Sequence, residues 1–179
     1  MNTRTLLGAL GAALLALASA NAAVLIDPAK LGGIGSITVD GKPVPGVDLP
    51  ATTKQIHLNL PPELRDWSNA KTITLRLYSP AASGAKALLI LRAANDERTG
   101  PKDFPMNYWH TIITANWQGW KDVEIPLKSF VATRVEGPPA QIQQLILRNQ
   151  FGPENLETNT WGIPLPNAVT FGFGRIIID

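Results

Sequence analysis

Residues 72–78 read TITLRLY, with Ile73, Leu75 and Leu77 at every second position and Thr72, Thr74, Arg76 and Tyr78 between them. This period is that of a strand with one face in a core and the other in water. Other stretches repeat it. Residues 55–60 (QIHLNL) align Ile56, Leu58 and Leu60, and residues 121–127 align Val123, Ile125 and Leu127. Residues 86–93 (KALLILRA) are apolar on both faces, as a central strand would be. Residues 108–114 (YWHTIIT) are aromatic and β-branched. Residues 142–148 (IQQLILR) and 168–178 (AVTFGFGRIII) complete the set, with weaker strands at 24–26 and 36–39. Turn signals separate the runs: Asp40-Gly41, Pro43 to Pro45, Pro61-Pro62, Ser79-Pro80, Gly100-Pro101, Gly137-Pro138-Pro139, Gly152-Pro153 and Pro164 to Pro166. Asp40-Gly41 is of the hairpin type. The longest helix candidate, 139–146, is broken by prolines before it and β-branched residues after it. About nine short strands with regular punctuation predict an all-β fold, an antiparallel β-sandwich.

The chain has 179 residues, with Lys+Arg 16, Asp+Glu 14 and a net charge of +2. So small an excess of positive charge argues against nucleic acid as a partner. With no cysteine, disulfide frameworks, thiolate metal sites and cysteine nucleophiles are excluded together. Only His57 and His110 are left for imidazole chemistry. Residues 1–22 (MNTRTLLGALGAALLALASANA) predict a signal peptide: Arg4 is a positive start, Leu6 to Leu17 an apolar run, and Ala18-Ser19-Ala20 and Ala20-Asn21-Ala22 offer small cleavage-site residues. The run is shorter than the ~20 residues a bilayer requires. Without a cysteine after it, the chain is not a lipoprotein. The expectation is a cleaved 1–22, a single β-sandwich domain over 23–179, no membrane span after cleavage, and a secreted or periplasmic location.

Residues 108–130, YWHTIITANWQGWKDVEIPLKSF, lead from an aromatic pair through Asn116-Trp117 and Gly119-Trp120-Lys121 to Ile125-Pro126-Leu127 and Phe130. This stretch resembles the galactose-binding-like jelly rolls found as carbohydrate-binding modules and as accessory domains of secreted glycan-degrading enzymes. Trp67 before an alternating strand, and the closing Ile176-Ile177-Ile178-Asp179, are similar to that family's early and last strands. The resemblance covers about 67–179 and implies a jelly roll that binds a polysaccharide or oligosaccharide, alone or beside a catalytic domain. It also implies core roles for Trp67 and Trp120. Strict alternation from Val123 places Trp120 opposite Ile125, so an inward Trp120 would require a bulge near Lys121. The chain stops within the family's closing motif, which leaves open whether the natural protein continues.

Sugar rings have apolar C–H faces that stack on exposed aromatic rings. Trp117 and Trp161 lie in polar, turn-rich stretches, and Trp109 alternates with Tyr108 and His110. These make Trp109, Trp117, Trp161 and Tyr108 the aromatic ligand-binding candidates. Arg76, Arg92 and Arg148 each follow an apolar run, and Leu89-Ile90-Leu91-Arg92 recurs as Leu145-Ile146-Leu147-Arg148. On one sheet face the three would form a basic stripe suited to an acidic polysaccharide. Domains of the resembled type often hold a structural calcium between first and last strands, which implies Asp27 and Asp179 as its carboxylates; calcium also requires several further oxygens. Asp96, Glu97, Asp122 and Glu124 read as solvated charges. Two other functions stay open: a structural or protein-interaction sandwich without a glycan site, and a small polysaccharide lyase. Gln55-Ile56-His57 and Glu63-Leu64-Arg65 resemble lyase motifs in reversed order, without the third, and His57, Arg76 and Tyr78 would be the chemistry-bearing residues. Gly-x-Ser-x-Gly is absent.

Overall fold

The computed structural model describes residues 23–50, 55–93, 108–133, 139–151, 163–164 and 168–179. The predicted signal peptide and Trp161 lie outside the described residues. The alternating run at 72–78 is β5 (Thr72–Ser79), with Ile73, Leu75 and Leu77 inward. Its sheet, A, has the order β2 (Gly35–Val39), β3 (Lys42–Leu49), β13 (Val169–Ile178), β5, β8 (Gly119–Pro126), and β1 (Val24–Ile26) also pairs with β13. The facing sheet, B, has the order β4 (Gln55–Asn59), β10 (Ile142–Arg148), β6 (Ala85–Ala93), β7 (Tyr108–Ala115), β9 (Val131–Thr133). A two-stranded ladder joins β11 (Gln150–Phe151) to β12 (Ile163–Pro164). Every ladder is antiparallel. Helical geometry among the described residues is limited to three-residue 3-10 turns.

One apolar core lies between the sheets and includes Leu75, Leu77, Leu89, Leu91, Leu145, Leu147, Trp67 and Phe171. Trp67 is 2% exposed and donates its indole N–H to the Leu64 carbonyl at 2.8 Å, so its one polar group is satisfied where water is excluded. The doubly apolar run becomes β6, the middle strand of sheet B. The Asp40-Gly41 signal closes the β2–β3 hairpin, with φ 51° and 76° as the two-residue turn requires.

The sequence reading missed β3, because Pro43 to Pro45 looked like a turn. The ladder to β13 begins only at Gly46, and Pro43 and Pro45 pair solely with β2. Both prolines share one parity, so their missing N–H groups fall on an edge that has no second partner. The short strand β9 was also missed.

Candidate functional site

On sheet B the outward side chains form three cross-strand rows. Antiparallel register sets Asn59, Gln144, Arg92 and Tyr108 in the first, on β4, β10, β6 and β7. His57, Ile146, Ile90, His110 and Val131 form the second. Gln55, Arg148, Leu88 and Ile112 form the third. A β-bulge between Ile142 and Gln144 sets this arrangement: it lets Ile142 stay fully buried while Gln144 turns outward in step with Arg148.

The first row is hydrogen-bonded along its length. Gln144 Nε2 donates to Asn59 Oδ1 at 2.6 Å, and Arg92 Nη1 donates to Gln144 Oε1 at 3.0 Å. His57 Nδ1 lies 3.3 Å from the same Oε1. Gln144 is thus the hub that fixes an amide, a guanidinium and an imidazole. Tyr108 and His110 are a tilted ring pair with centroids 6.1 Å apart. In the second row Ile146 and Ile90, though facing away from the core, are only 4% and 5% exposed. They form a covered apolar strip between the polar side chains of the first and third rows. Burial lowers the pKa of His110, favouring neutral imidazole, and also lowers that of Arg148, against a raising effect of Tyr108.

The expected aromatic set is redistributed. Trp109 is corrected: alternation turns it into the core, 4% exposed, while Tyr108 and His110 take the outer face. Trp117 is half-buried and packs against the core, its ring stacked on Phe171 at 6.0 Å and 10° with the Lys121 ammonium 5.2 Å from its centroid. That packing engages one side of the ring with the core and leaves the rest half-exposed. Trp161 lies outside the described residues. Trp120, expected in the core by resemblance, is 36% exposed on the outer face of sheet A. The β5–β8 ladder runs without a register shift, so strict alternation holds.

The arginine stripe is also corrected. Arg76 is on sheet A, and only Arg92 and Arg148 share a face. The repeated Leu-Ile-Leu-Arg segments pair antiparallel, Leu89 on Leu147 and Leu91 on Leu145. That pairing carries the two arginines to opposite ends of the β6–β10 contact. On sheet A, Asp122 accepts from Arg76 at 3.3 Å and from Arg175 at 3.1 Å. Arg76 and Tyr78 share the outer face of sheet A, but His57 lies on sheet B, so the three residues considered for a lyase do not form one site.

Asp27 and Asp179 do not fit a shared calcium. The β1–β13 ladder pairs Val24 with Ile178 and Ile26 with Ile176, which puts the two carboxylates beyond its opposite ends. Four residues of strand separate their levels by roughly 13 Å, whereas ligands of one ion lie within about 5 Å of each other. Asp27 instead caps a 3-10 turn, accepting from Ala29 N at 3.0 Å. Among the described residues no group of three or more His, Cys, Asp or Glu could hold a metal ion.

Two antiparallel sheets packed face to face, with first and last strands in the same sheet, define a β-jelly-roll sandwich, and solved carbohydrate-binding modules have this fold. A family 30 carbohydrate-binding module superposes with TM-score 0.51 at 14% identity, over 82% of this chain and 83% of that one. A family 11 module from Clostridium thermocellum, in complex with a β-1,3-1,4-mixed-linked tetrasaccharide, gives TM-score 0.48 at 16% identity, covering 88% and 84%. A module described as specific for non-crystalline cellulose gives TM-score 0.35 at 12% identity, covering 82% and 76%. No family model and no curated protein matches the chain. No helix among the described residues is long and apolar enough to cross a membrane.

Proposed function

We propose that this chain is an exported, non-catalytic module that binds an oligosaccharide segment on the outer face of sheet B. The observation that carries the reading is the bonded row Asn59–Gln144–Arg92, with Tyr108 next in register. Sugar hydroxyls are donors and acceptors at once. A row of amide and guanidinium groups, held in place by its own hydrogen bonds, meets them with little further loss of side-chain freedom. The Tyr108 ring, half-buried at the end of that row, offers apolar surface to the C–H faces of the sugar.

The jelly-roll fold shared with carbohydrate-binding modules is consistent with this use, and residues 1–22 support export on sequence grounds. A uronate-containing chain is the finer expectation, because Arg92 and Arg148 share the face. Action beside a glycan-degrading catalytic domain, in the same chain or a separate one, suits such a module.

The test is calorimetric titration of the chain from Ala23 with neutral β-linked gluco-oligosaccharides and with oligogalacturonates. Saturable binding to one class, weakened about tenfold or more in Tyr108→Ala and Arg92→Ala, supports the proposal. A folded protein that binds no member of either class contradicts it.

A further inference from the structure

The opposite side of the sandwich presents its own constellation. On the outer face of sheet A, Tyr78 and Trp120 are register partners with ring centroids 5.5 Å apart, and Arg76 Cζ lies 5.8 Å from the Trp120 centroid. One level along, Arg175, Arg76 and Asp122 stand side by side on β13, β5 and β8. Strict alternation after the buried Phe173 would turn Arg175 into the core. A register shift between Phe173 and Arg175 sends Arg175 outward and keeps Ile176 buried. Gly174 at that bulge also leaves room for its neighbours. A Cβ there would sit 3.1 Å from the Trp120 ring and 3.2 Å from the Arg76 stem. The bulge and the glycine together aim a second guanidinium at Asp122 and let the indole lie against the backbone.

The charges are arranged to leave hydrogen-bonding capacity on the surface. Both guanidiniums reach the same oxygen, Asp122 Oδ2, so Oδ1 accepts from neither of them, and each planar fork keeps further N–H donors. The side chains of Arg76, Asp122 and Arg175 are 40%, 39% and 48% exposed. Exposed ion pairs add little to stability, so the fold does not need this group. What it offers is an indole platform beside fixed donors and one fixed acceptor.

We infer that the Trp120–Tyr78 platform with Arg76, Asp122 and Arg175 is a second sugar site, for a neutral pyranose residue with equatorial hydroxyls, on the face opposite the sheet B row. A ring of that kind has a flat C–H face for the indole. Its vicinal hydroxyls donate to Asp122 Oδ1 and accept from the guanidiniums. The carboxylate already between the two arginines disfavours a uronate at this position. Because the faces point in opposite directions, one extended sugar chain does not reach both sites, and a chain with two sites bridges two polysaccharide strands.

The experiment is an NMR titration of the chain from Ala23 with cellohexaose and, separately, a galacturonate hexamer, following the Trp120 indole N–H and the sheet B side-chain amides. The expected result is a saturable shift of the Trp120 signal with cellohexaose at about millimolar affinity. It is weakened about tenfold in Asp122→Asn and lost in Arg175→Ala, two surface changes that leave the core untouched. Arg92→Ala leaves it unchanged, which separates this site from the sheet B proposal. A Trp120 signal that does not move with cellohexaose, or moves only with the galacturonate, overturns the inference and leaves the sheet B reading to be judged by its own signals.

Discussion

Replacing Gln144 by Met is the sharpest perturbation of the sheet B face. Methionine keeps the length and much of the volume of glutamine but can neither accept from Arg92 nor donate to Asn59. Three contacts are lost, at 2.6, 3.0 and 3.3 Å. Gln144 is half-buried, so water replaces part of what is lost, and the fold is expected to lose about 1–2 kcal/mol. For a domain of this size that lowers Tm by about 2–8 °C. Binding suffers through a different route. Arg92 and Asn59 remain but are no longer held, and each must be immobilised by the sugar at about 0.5–1.5 kcal/mol. Together that is about 1–3 kcal/mol, or about fivefold to 150-fold in Kd. Calorimetric titration reads the Kd, and a thermal melt on the same samples reads the fold. Thr170→Val, which removes a 2.7 Å bond to Asp48 on sheet A, is the control and leaves Kd unchanged. A Gln144→Met protein that melts lower but binds within about twofold of the parent would refute the idea that this row is organised for ligand.

Other outcomes follow from the same contacts. Trp67→Phe removes the indole bond to the Leu64 carbonyl and part of a ring that is 2% exposed; it is expected to cost about 2–4 kcal/mol, seen as a Tm lower by about 5–15 °C. Gly33→Ala and Gly41→Ala both force alanine to positive φ, but a Cβ at Gly33 would clash with the His57 carbonyl oxygen, whereas Gly41 opens to free space. Gly41→Ala is expected to cost about 1–2 kcal/mol in a denaturant titration, and Gly33→Ala clearly more, with displacement of the His57 strand. Burial lowers the folded pKa of His110, so the unfolded chain binds its proton more readily. Its contribution to stability is complete above the unfolded pKa of about 6.5 and declines as pH falls below it. A melt series from neutral to acid pH should therefore show a drop in Tm that is shallower in His110→Gln.

Much of the fold was legible in period-two runs, because a strand with one face in a core leaves that period in sequence. The runs at 55–60, 72–78, 86–93, 108–114 and 142–148 all became strands. What failed were positions where pairing, not pattern, decides. Pro43 and Pro45 look like turn residues until β2 is known to be their only partner. Trp109 was offered as ligand-binding because alternation shows that one side of 108–110 is aromatic, but not which side faces the core. At Trp120 strict alternation was the better guide, and family likeness misled. Gln144 and Asn59 were missed because a polar residue in a strand looks like solvated surface until register sets them side by side. The antiparallel match of the two Leu-Ile-Leu-Arg segments was the available clue: pairing Leu89 with Leu147 brings Gln144 opposite Arg92. The two bulges, at Ile142/Gln144 and Phe173/Arg175, leave no comparable mark, and each sets one of the two surfaces described above.

The most direct measurement is an NMR map of the chain from Ala23, titrated with the oligosaccharide class that binds in calorimetry. Saturable shifts confined mainly to Asn59, Arg92, Tyr108, His110, Gln144 and their strand neighbours are the predicted result. Shifts that avoid the outer face of sheet B while the sugar binds would contradict its assignment as the principal sugar-binding face.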